Sequence, residues 1–285
     1  SYEAMKTKAD VLIFADALDF LRAINETYSQ SIRVIADKAD NWYEVQAANS
    51  NWLSRIAAWK QKYPMVSTPN GDLIQPLDFI TKLCDALPDD AIVVSDSGAN
   101  LSWVHQAFEI RGTQRLFSAY SYSPMGYSLP AAIGAHYATG KPIVAIMGDG
   151  AAQMNIQEWQ TLKHYNIPIK AFILNNKSYG IIKQFQEELY DGRYEATDNE
   201  HGYSVPNFRT VAEAYGLRAE TIYNSHQVAN IIERTLAYPG PVIVDVEIDP
   251  AARIFPKCTY GNPLENQSPF LPPEEVAENM RNDSA

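Results

Sequence analysis

Residues 143–150 read Ile143-Val144-Ala145-Ile146-Met147-Gly148-Asp149-Gly150, and residues 169–176 read Ile169-Lys170-Ala171-Phe172-Ile173-Leu174-Asn175-Asn176. Each is an apolar run that stops at an oxygen-bearing side chain. Near-continuous runs of this kind, without polar alternation, predict strands buried on both faces of a parallel sheet. Between them Ile156, Trp159 and Leu162 recur at helical spacing, which predicts a helix over 156–165 and so one βαβ unit. Ligands of open α/β sheets bind beyond the carboxyl ends of the strands, where Asp149 and the Asn pair fall. A carboxylate and a carboxamide oxygen are the hard ligands Mg²⁺ prefers, and Mg²⁺ keeps positions open for phosphate oxygens and water. Gly148 and Gly150 let the backbone approach a diphosphate closely, and the following helix offers free N–H groups. Taken one at a time, Asp149 also reads as a helix N-cap and the Asn pair as a turn.

Working outward, the same alternation of helix and strand runs from about residue 72 to residue 246. Pro76 opens a helix that stops near Pro88, Ile92-Val93-Val94 is a strand, and Leu101–Phe108 is a helix. Leu116-Phe117 begins a weaker strand, and residues 128–139 form a helix of small residues stopped by Gly140. Further on come a helix over 207–215, a strand over 218–222, a helix over 226–237 and a last buried strand over 241–246. The fold class is therefore α/β, a parallel sheet with helices on both faces. Before it, Val11–Phe14 reads as a short strand, Ala15–Leu21 as a helix, and residues 41–63 as a connecting helix carrying Trp42, Trp52 and Trp59. The expected division is residues 1–64, a diphosphate-binding domain over 65–250, and a tail over 251–285 that wraps the surface or a partner.

Composition limits the alternatives. The 285 residues are 46% hydrophobic and 20% charged, as in ordinary globular proteins. A net charge of −11 without a basic block argues against nucleic acid or an anionic membrane surface as partner. Two cysteines, Cys84 and Cys258, make no disulfide framework, and no run is apolar enough for a membrane span, so the expected location is cytoplasmic. His105, His136, His164 and His201 show no metal-binding spacing and read as structural. No G-x-S-x-G elbow, Walker loop or GxGxxG sequence occurs.

Gly148-Asp149-Gly150, the Asn pair 24 residues later, and the segment Ser123-Pro124-Met125-Gly126-Tyr127-Ser128-Leu129-Pro130-Ala131-Ala132 together resemble the thiamine diphosphate motif of the acetolactate-synthase-like enzymes. The likeness runs from Asp96 to Val246, and it implies that residues 1–64 are the end of a central domain and a connecting helix. It implies thiamine diphosphate and Mg²⁺ as cofactors, with the metal on Asp149, Asn176 and the Ser178 carbonyl. It carries cofactor contacts onto Gly98, Asn100, Ser123, Met125, Gly148, Asp149, Gly150, Ala151, Asn176, Ser178, Tyr179, Gly180 and Ile181. In the resembling enzymes the methionine wedges between the two cofactor rings and enforces a bent form, and the carbonyl at the Ser123 position holds the amino group. Those two residues inherit the catalytic roles. The implied reaction is decarboxylation of a 2-oxo acid, such as pyruvate, with the cofactor as electron sink and ligation to a second carbonyl.

Departures stand beside the likeness. Gly98-Ala99-Asn100-Leu101 replaces the usual Gly-Gln-His-Gln, leaving Asn100 as the side chain able to donate to phosphate. Phe185 stands where biosynthetic synthases carry the Trp that favours 2-oxobutyrate, so it marks the acceptor pocket or is plain packing. The tail Gly261–Pro269 is reminiscent of relatives that add a two-carbon unit to a keto sugar. A simple decarboxylase, an oxidase or a non-catalytic cofactor-binding subunit stays open. The family's activating glutamate has no candidate here. It is expected on a pyrimidine-binding domain in a missing N-terminal half or another subunit, within a homodimer or tetramer, and this chain alone is expected to be inactive.

Overall fold

The computed structural model describes residues 18–27, 42–65, 71–259 and 261–281. The expected strand Val11–Phe14 and the start of the helix after it lie outside the described residues. The chain divides into two compact units, meeting in sequence at Tyr63 and Pro64. In the first unit, residues 18–27 and Trp42–Lys62 are helical.

The second unit holds a six-stranded, wholly parallel sheet. Its strands are β1 (Ile92–Ser95), β2 (Arg115–Phe117), β3 (Ile143–Gly148), β4 (Ile169–Asn175), β5 (Arg218–Ile222) and β6 (Val242–Glu247), in the order β2-β1-β3-β4-β6-β5. All six fall where the sequence pattern places strands. The helices in chain order are α1 (Pro76–Ala86), α2 (Ala99–Ala107), α3 (Ser128–Thr139), α4 (Asp149–Met154), α5 (Glu158–Tyr165), α6 (Gly180–Leu189), α7 (Phe208–Ala214), α8 (Val228–Ala237) and α9 (Pro273–Asn279). None of the described helices is long and apolar enough to cross a membrane.

Alternation along the strands feeds two cores. Val144 and Ile146 of β3, with Phe172 and Leu174 of β4, pack against Phe79 and Leu83 of α1, Trp103 and Val104 of α2, and Ile231 of α8. Ile143, Ala145 and Met147, with Ala171 and Ile173, pack against Leu129 and Ala132 of α3, Trp159 and Leu162 of α5, and Phe208 of α7. Both faces are covered, which is why the strands read as unbroken apolar runs. Helix α3 ends as expected at Gly140, whose left-handed φ of 70° returns its N–H to the His136 carbonyl. The βαβ unit differs in one respect: two helices, α4 and α5, connect β3 to β4, where the pattern predicts one.

The chain runs outward from β1 to β2, then crosses to the other side of β1 to build β3. That reversal opens a crevice between β1 and β3 at their carboxyl ends, the usual ligand position of such sheets.

Candidate active site

Three adjacent strands deliver the polar groups. Asp96 follows β1, Asp149 follows β3, and Asn176 follows β4, so register alone brings their side chains to one edge of the sheet. Around them lies a cavity of about 300 Å³. Gly98 and Asn100 come from the start of α2, and Ser123 and Met125 from the loop before α3. Gly148, Asp149, Gly150 and Ala151 come from the β3–α4 turn; Asn176, Ser178, Tyr179, Gly180 and Ile181 from the β4–α6 turn; and Phe185 from α6. Every cofactor, metal and acceptor residue implied by the likeness lines this one cavity; Asn175, the first of the Asn pair, instead donates to Asp245 at 3.0 Å. Ser97, Trp103 and Ile182 join them.

Asp149 is buried, 2% exposed, and its two oxygens face different groups. Oδ1 accepts from the Gly150 N–H at 2.6 Å and from the Tyr203 hydroxyl at 2.8 Å. Burial pushes its pKa up to about 6, opposed first by the Tyr203 hydroxyl and then by the Gly150 N–H. The same burial and the adjacent carboxylate raise the Tyr203 phenol, holding it as a donor. Oδ2 points the other way. It lies 3.3 Å from the Asn176 carboxamide oxygen, which is itself 2.8 Å from the Ser178 carbonyl oxygen. Three oxygens therefore face one another, while the Lys177 and Ser178 N–H groups of the same turn also favour the charged form of Asp149. Turning the amide over would let its nitrogen donate to both neighbours; a hard cation among the oxygens satisfies the arrangement as it stands. Among the described residues no group of three His, Cys, Asp or Glu side chains gathers as a metal site. The set at issue has a single carboxylate, within the one or two that Mg²⁺ sites shared with phosphate usually have.

Nothing else in the cavity neutralises an anion. Its lining holds no Lys, Arg or His. What the protein itself offers a diphosphate is the N-termini of α2 and α6, neither capped by a side chain. Asn100 behaves differently from expectation. Its Nδ2 donates at 2.9 Å to the Asp96 carbonyl and at 3.4 Å to Ser95 Oγ and the Ile146 carbonyl. Those buried carbonyls at the strand ends take the donor that the sequence reading assigned to phosphate.

The Met125 loop is fixed by a residue the sequence reading did not assign a role. Asp96, fully buried, accepts from the N–H groups of Ser97 at 2.9 Å, Gly126 at 2.9 Å and Ser128 at 2.7 Å. Asn155 donates to the Gly126 carbonyl at 2.6 Å from the opposite side. Ser123 sits in the left-handed region at φ 43°. Held this way, Met125 reaches toward α4: a Cβ on Gly150 would first overlap the Tyr179 ring at Cε1 and would stand 2.9 Å from Met125 Cε. Glycine at 150 is required by that close approach.

Helix α6 is anchored in an unusual way. Its one buried side chain is polar, Gln184, which accepts from the Ile254 N–H at 2.9 Å and donates to the Ile254 carbonyl at 3.2 Å. One turn on, Glu187 accepts from Arg253 Nε at 2.7 Å and Nη2 at 2.5 Å, and Glu188 pairs with Lys257. On the same segment, Trp103 donates to the Arg253 carbonyl at 3.2 Å. Residues 253–257 thus strap α6 to α2 along the cavity wall.

Residues 96–246 match the thiamine pyrophosphate enzyme C-terminal TPP-binding domain. The chain belongs to this family of thiamine pyrophosphate enzymes. Over 212 residues it is 32% identical to the acetolactate synthase large subunit of Porphyra purpurea, a match covering 74% of this chain and 35% of that protein. The large subunit from Lactococcus lactis subsp. lactis is 30% identical over 220 residues, covering 76% and 37%. A Rhodococcus jostii RHA1 thiamine diphosphate-dependent 4-hydroxybenzoylformate decarboxylase shares the fold with a TM-score of 0.58 and 25% identity, over 65% of this chain and 34% of that one. The chain spans about a third of the length of the curated relatives it matches. It carries the C-terminal thiamine pyrophosphate-binding domain of that family, is similar to part of the acetolactate synthase large subunits, and its parallel sheet is the family's fold. Tyr203 and Asp96 are the site residues that sequence reasoning missed. Tyr203 stands 54 residues from Asp149, and the Gly126 N–H that Asp96 holds is 30 residues away. Only the fold joins them.

Proposed function

We propose that this chain holds thiamine diphosphate through Mg²⁺ on Asp149 Oδ2, the Asn176 carboxamide oxygen and the Ser178 carbonyl, and serves a carboligase acting on a 2-oxo acid. The observation that carries the reading is the convergence of a buried carboxylate, Asp149, with Asn176 and Ser178 at the strand ends, in a cavity lined by no cationic side chain. When bound, the cofactor supplies the electron sink for loss of CO₂ from the 2-oxo acid. The chain's own residues do the rest. Asp96 and Asn155 hold the loop that presents Met125 and Ser123 to the cavity, where the methionine side chain and the Ser123 carbonyl would contact the bound cofactor. The apolar wall of Leu174, Ile181 and Trp103 excludes water from the reacting atoms.

The donor acid is proposed to be pyruvate, and Phe185 at the cavity edge faces the acceptor. The activating carboxylate belongs to a pyrimidine-binding domain outside this chain, so this chain alone is inactive and works in a dimer or tetramer. Calorimetry of thiamine diphosphate with and without Mg²⁺ tests the reading. Asp149→Ala removes the only charged ligand and is expected to abolish Mg²⁺-dependent binding. Wild-type affinity in that variant overturns the assignment.

A further inference from the structure

A second cavity adjoins the first. It measures about 550 Å³, against about 300 Å³ for the cavity at Asp149, and the two share Ile182 and Phe185 as common wall. Its floor is the outer face of α6: Ile182, Phe185 and Leu189, spaced three and four residues apart, are exposed, and Tyr190 continues the surface. Arg193 and Glu195 complete it from the loop after α6.

That loop is built to hold a shape. Asp191 and Ala196 adopt left-handed φ of 53° and 54°. Gln186 donates to the Glu195 carbonyl at 3.0 Å and accepts from the Glu195 N–H at 3.2 Å and from Thr197 Oγ1 at 3.0 Å. The Tyr194 hydroxyl donates to Glu187 at 3.0 Å. Around this fixed backbone, neighbouring charges are paired: Lys183 with Asp198, Arg253 with Glu187, Lys257 with Glu188. The guanidinium of Arg193 and the carboxylate of Glu195 have no hydrogen-bonding or ionic partner among the described residues. Two free, opposite charges therefore stand over an apolar and aromatic floor that leads to the cofactor cavity.

We propose that this second cavity is the acceptor site, and that the acceptor is a carbonyl compound larger than a three- or four-carbon acid, hydroxylated and carrying an anionic group remote from its carbonyl. This rests on the carboligase reading above. The size argues for it: a cavity of this volume falls in the range that takes ligands of a few hundred daltons, whereas pyruvate would leave it mostly empty. Arg193 supplies a planar fork matched to phosphate or carboxylate. Glu195 accepts from hydroxyl groups, and Phe185 and Tyr190 cover the apolar faces of the ligand. The step balances without an outside oxidant or reductant. The donor's C1–C2 bond breaks and releases CO₂, its C2 bonds to the acceptor carbonyl carbon, and the acceptor oxygen takes up one proton, leaving an α-hydroxy ketone.

The complete enzyme, loaded with Mg²⁺ and thiamine diphosphate, is assayed with labelled pyruvate and four acceptors: fructose 6-phosphate, fructose, 2-oxoglutarate and pyruvate itself. Transfer of label to the phosphate- or carboxylate-bearing acceptor is expected to exceed transfer to fructose and to pyruvate. Which of the two charged acceptors leads tells phosphate from carboxylate. Arg193→Met is expected to raise the KM for that acceptor by about tenfold or more, the worth of a charge-assisted hydrogen bond, while cofactor affinity by calorimetry is unchanged. Arg193→Lys should restore part of the loss. Equal use of charged and uncharged acceptors, or an Arg193→Met enzyme with unaltered KM, overturns the proposal. So does protection of residues 182–195 from hydrogen exchange by a protein partner alone. Failure of the cofactor to bind at all would instead strike the carboligase reading.

Discussion

Replacing Tyr203 by Phe should weaken Mg²⁺ binding without unfolding the chain. The hydroxyl lies 2.8 Å from Asp149 Oδ1 and the residue is 7% exposed, so water does not replace the lost donor. Oδ1 would keep only the Gly150 N–H. The ring itself stays in place against Tyr179, its centroid 4.1 Å away, because Phe fills the same volume. A hydrogen bond to a charged group contributes about 1.5–3 kcal/mol, and partners that orient a metal-binding side chain change affinity by about 10–100-fold. The two figures agree, since a factor of ten is about 1.4 kcal/mol. The expected outcome is therefore a Mg²⁺ dissociation constant raised by about 10–100-fold. The sign of the pH effect follows too. Asp149 must be ionised to bind the cation; it titrates at about 6, and Tyr203 is the strongest group favouring its charged form. Without that hydroxyl the carboxyl protonates at higher pH, so binding fails sooner as the solution is acidified. Calorimetric Mg²⁺ titrations at neutral and mildly acidic pH, in the presence of thiamine diphosphate, measure both effects. Wild-type affinity with an unshifted pH profile would refute the view that Tyr203 orients Asp149.

Gly150→Ala would press a methyl group against Met125 Cε and the Tyr179 ring, an overpacking of about 1–3 kcal/mol; cofactor affinity should fall more than urea stability, and the reverse order would deny Met125 its place. Arg253→Met removes the fork on Glu187 and should cost about 1–2 kcal/mol in urea denaturation, only partly regained by Arg253→Lys, with a change in Trp103 fluorescence because that indole donates to the Arg253 carbonyl. Asp245, buried beside Asn175, is pushed up to about 6 by burial, against the opposing Asn175 amide. The folded chain then binds a proton that the unfolded chain has released. Stability therefore falls as pH rises from about 4 to about 6, by at most about 3 kcal/mol. Asp245→Asn should reduce that loss, and denaturation curves across the range decide it.

How far the sequence could be read depended on where each signal was stored. The strands were legible because burial on both faces demands continuous apolar runs, and β3 and β4 have them. Helix α3 was legible through Gly140. Helix α4 was not, because Asp149–Met154 is one short turn of small and polar residues without apolar periodicity. Helix α6 inverts the usual pattern: it buries Gln184 and exposes Ile182 and Phe185, so its amphipathic stripe gives no sign of what holds it. The cavity residues were found through the likeness of their motifs, whereas Tyr203 and Asp96 act across long stretches of chain that no local pattern records. The second cavity was invisible for the same reason. It depends on how a loop folds back over its helix.

The order of the strands also says when such a site can exist during folding. β1, β3 and β4 are neighbours in the sheet, yet each pair is separated in the chain by a crossover, and Tyr203 arrives later still. Contacts of that sequence separation form slowly and late. No early hairpin or helical fragment can carry the three facing oxygens. Recovery of Mg²⁺-dependent cofactor binding during refolding should therefore lag behind recovery of helical signal, so the ligand serves as a clock for the last step of sheet assembly.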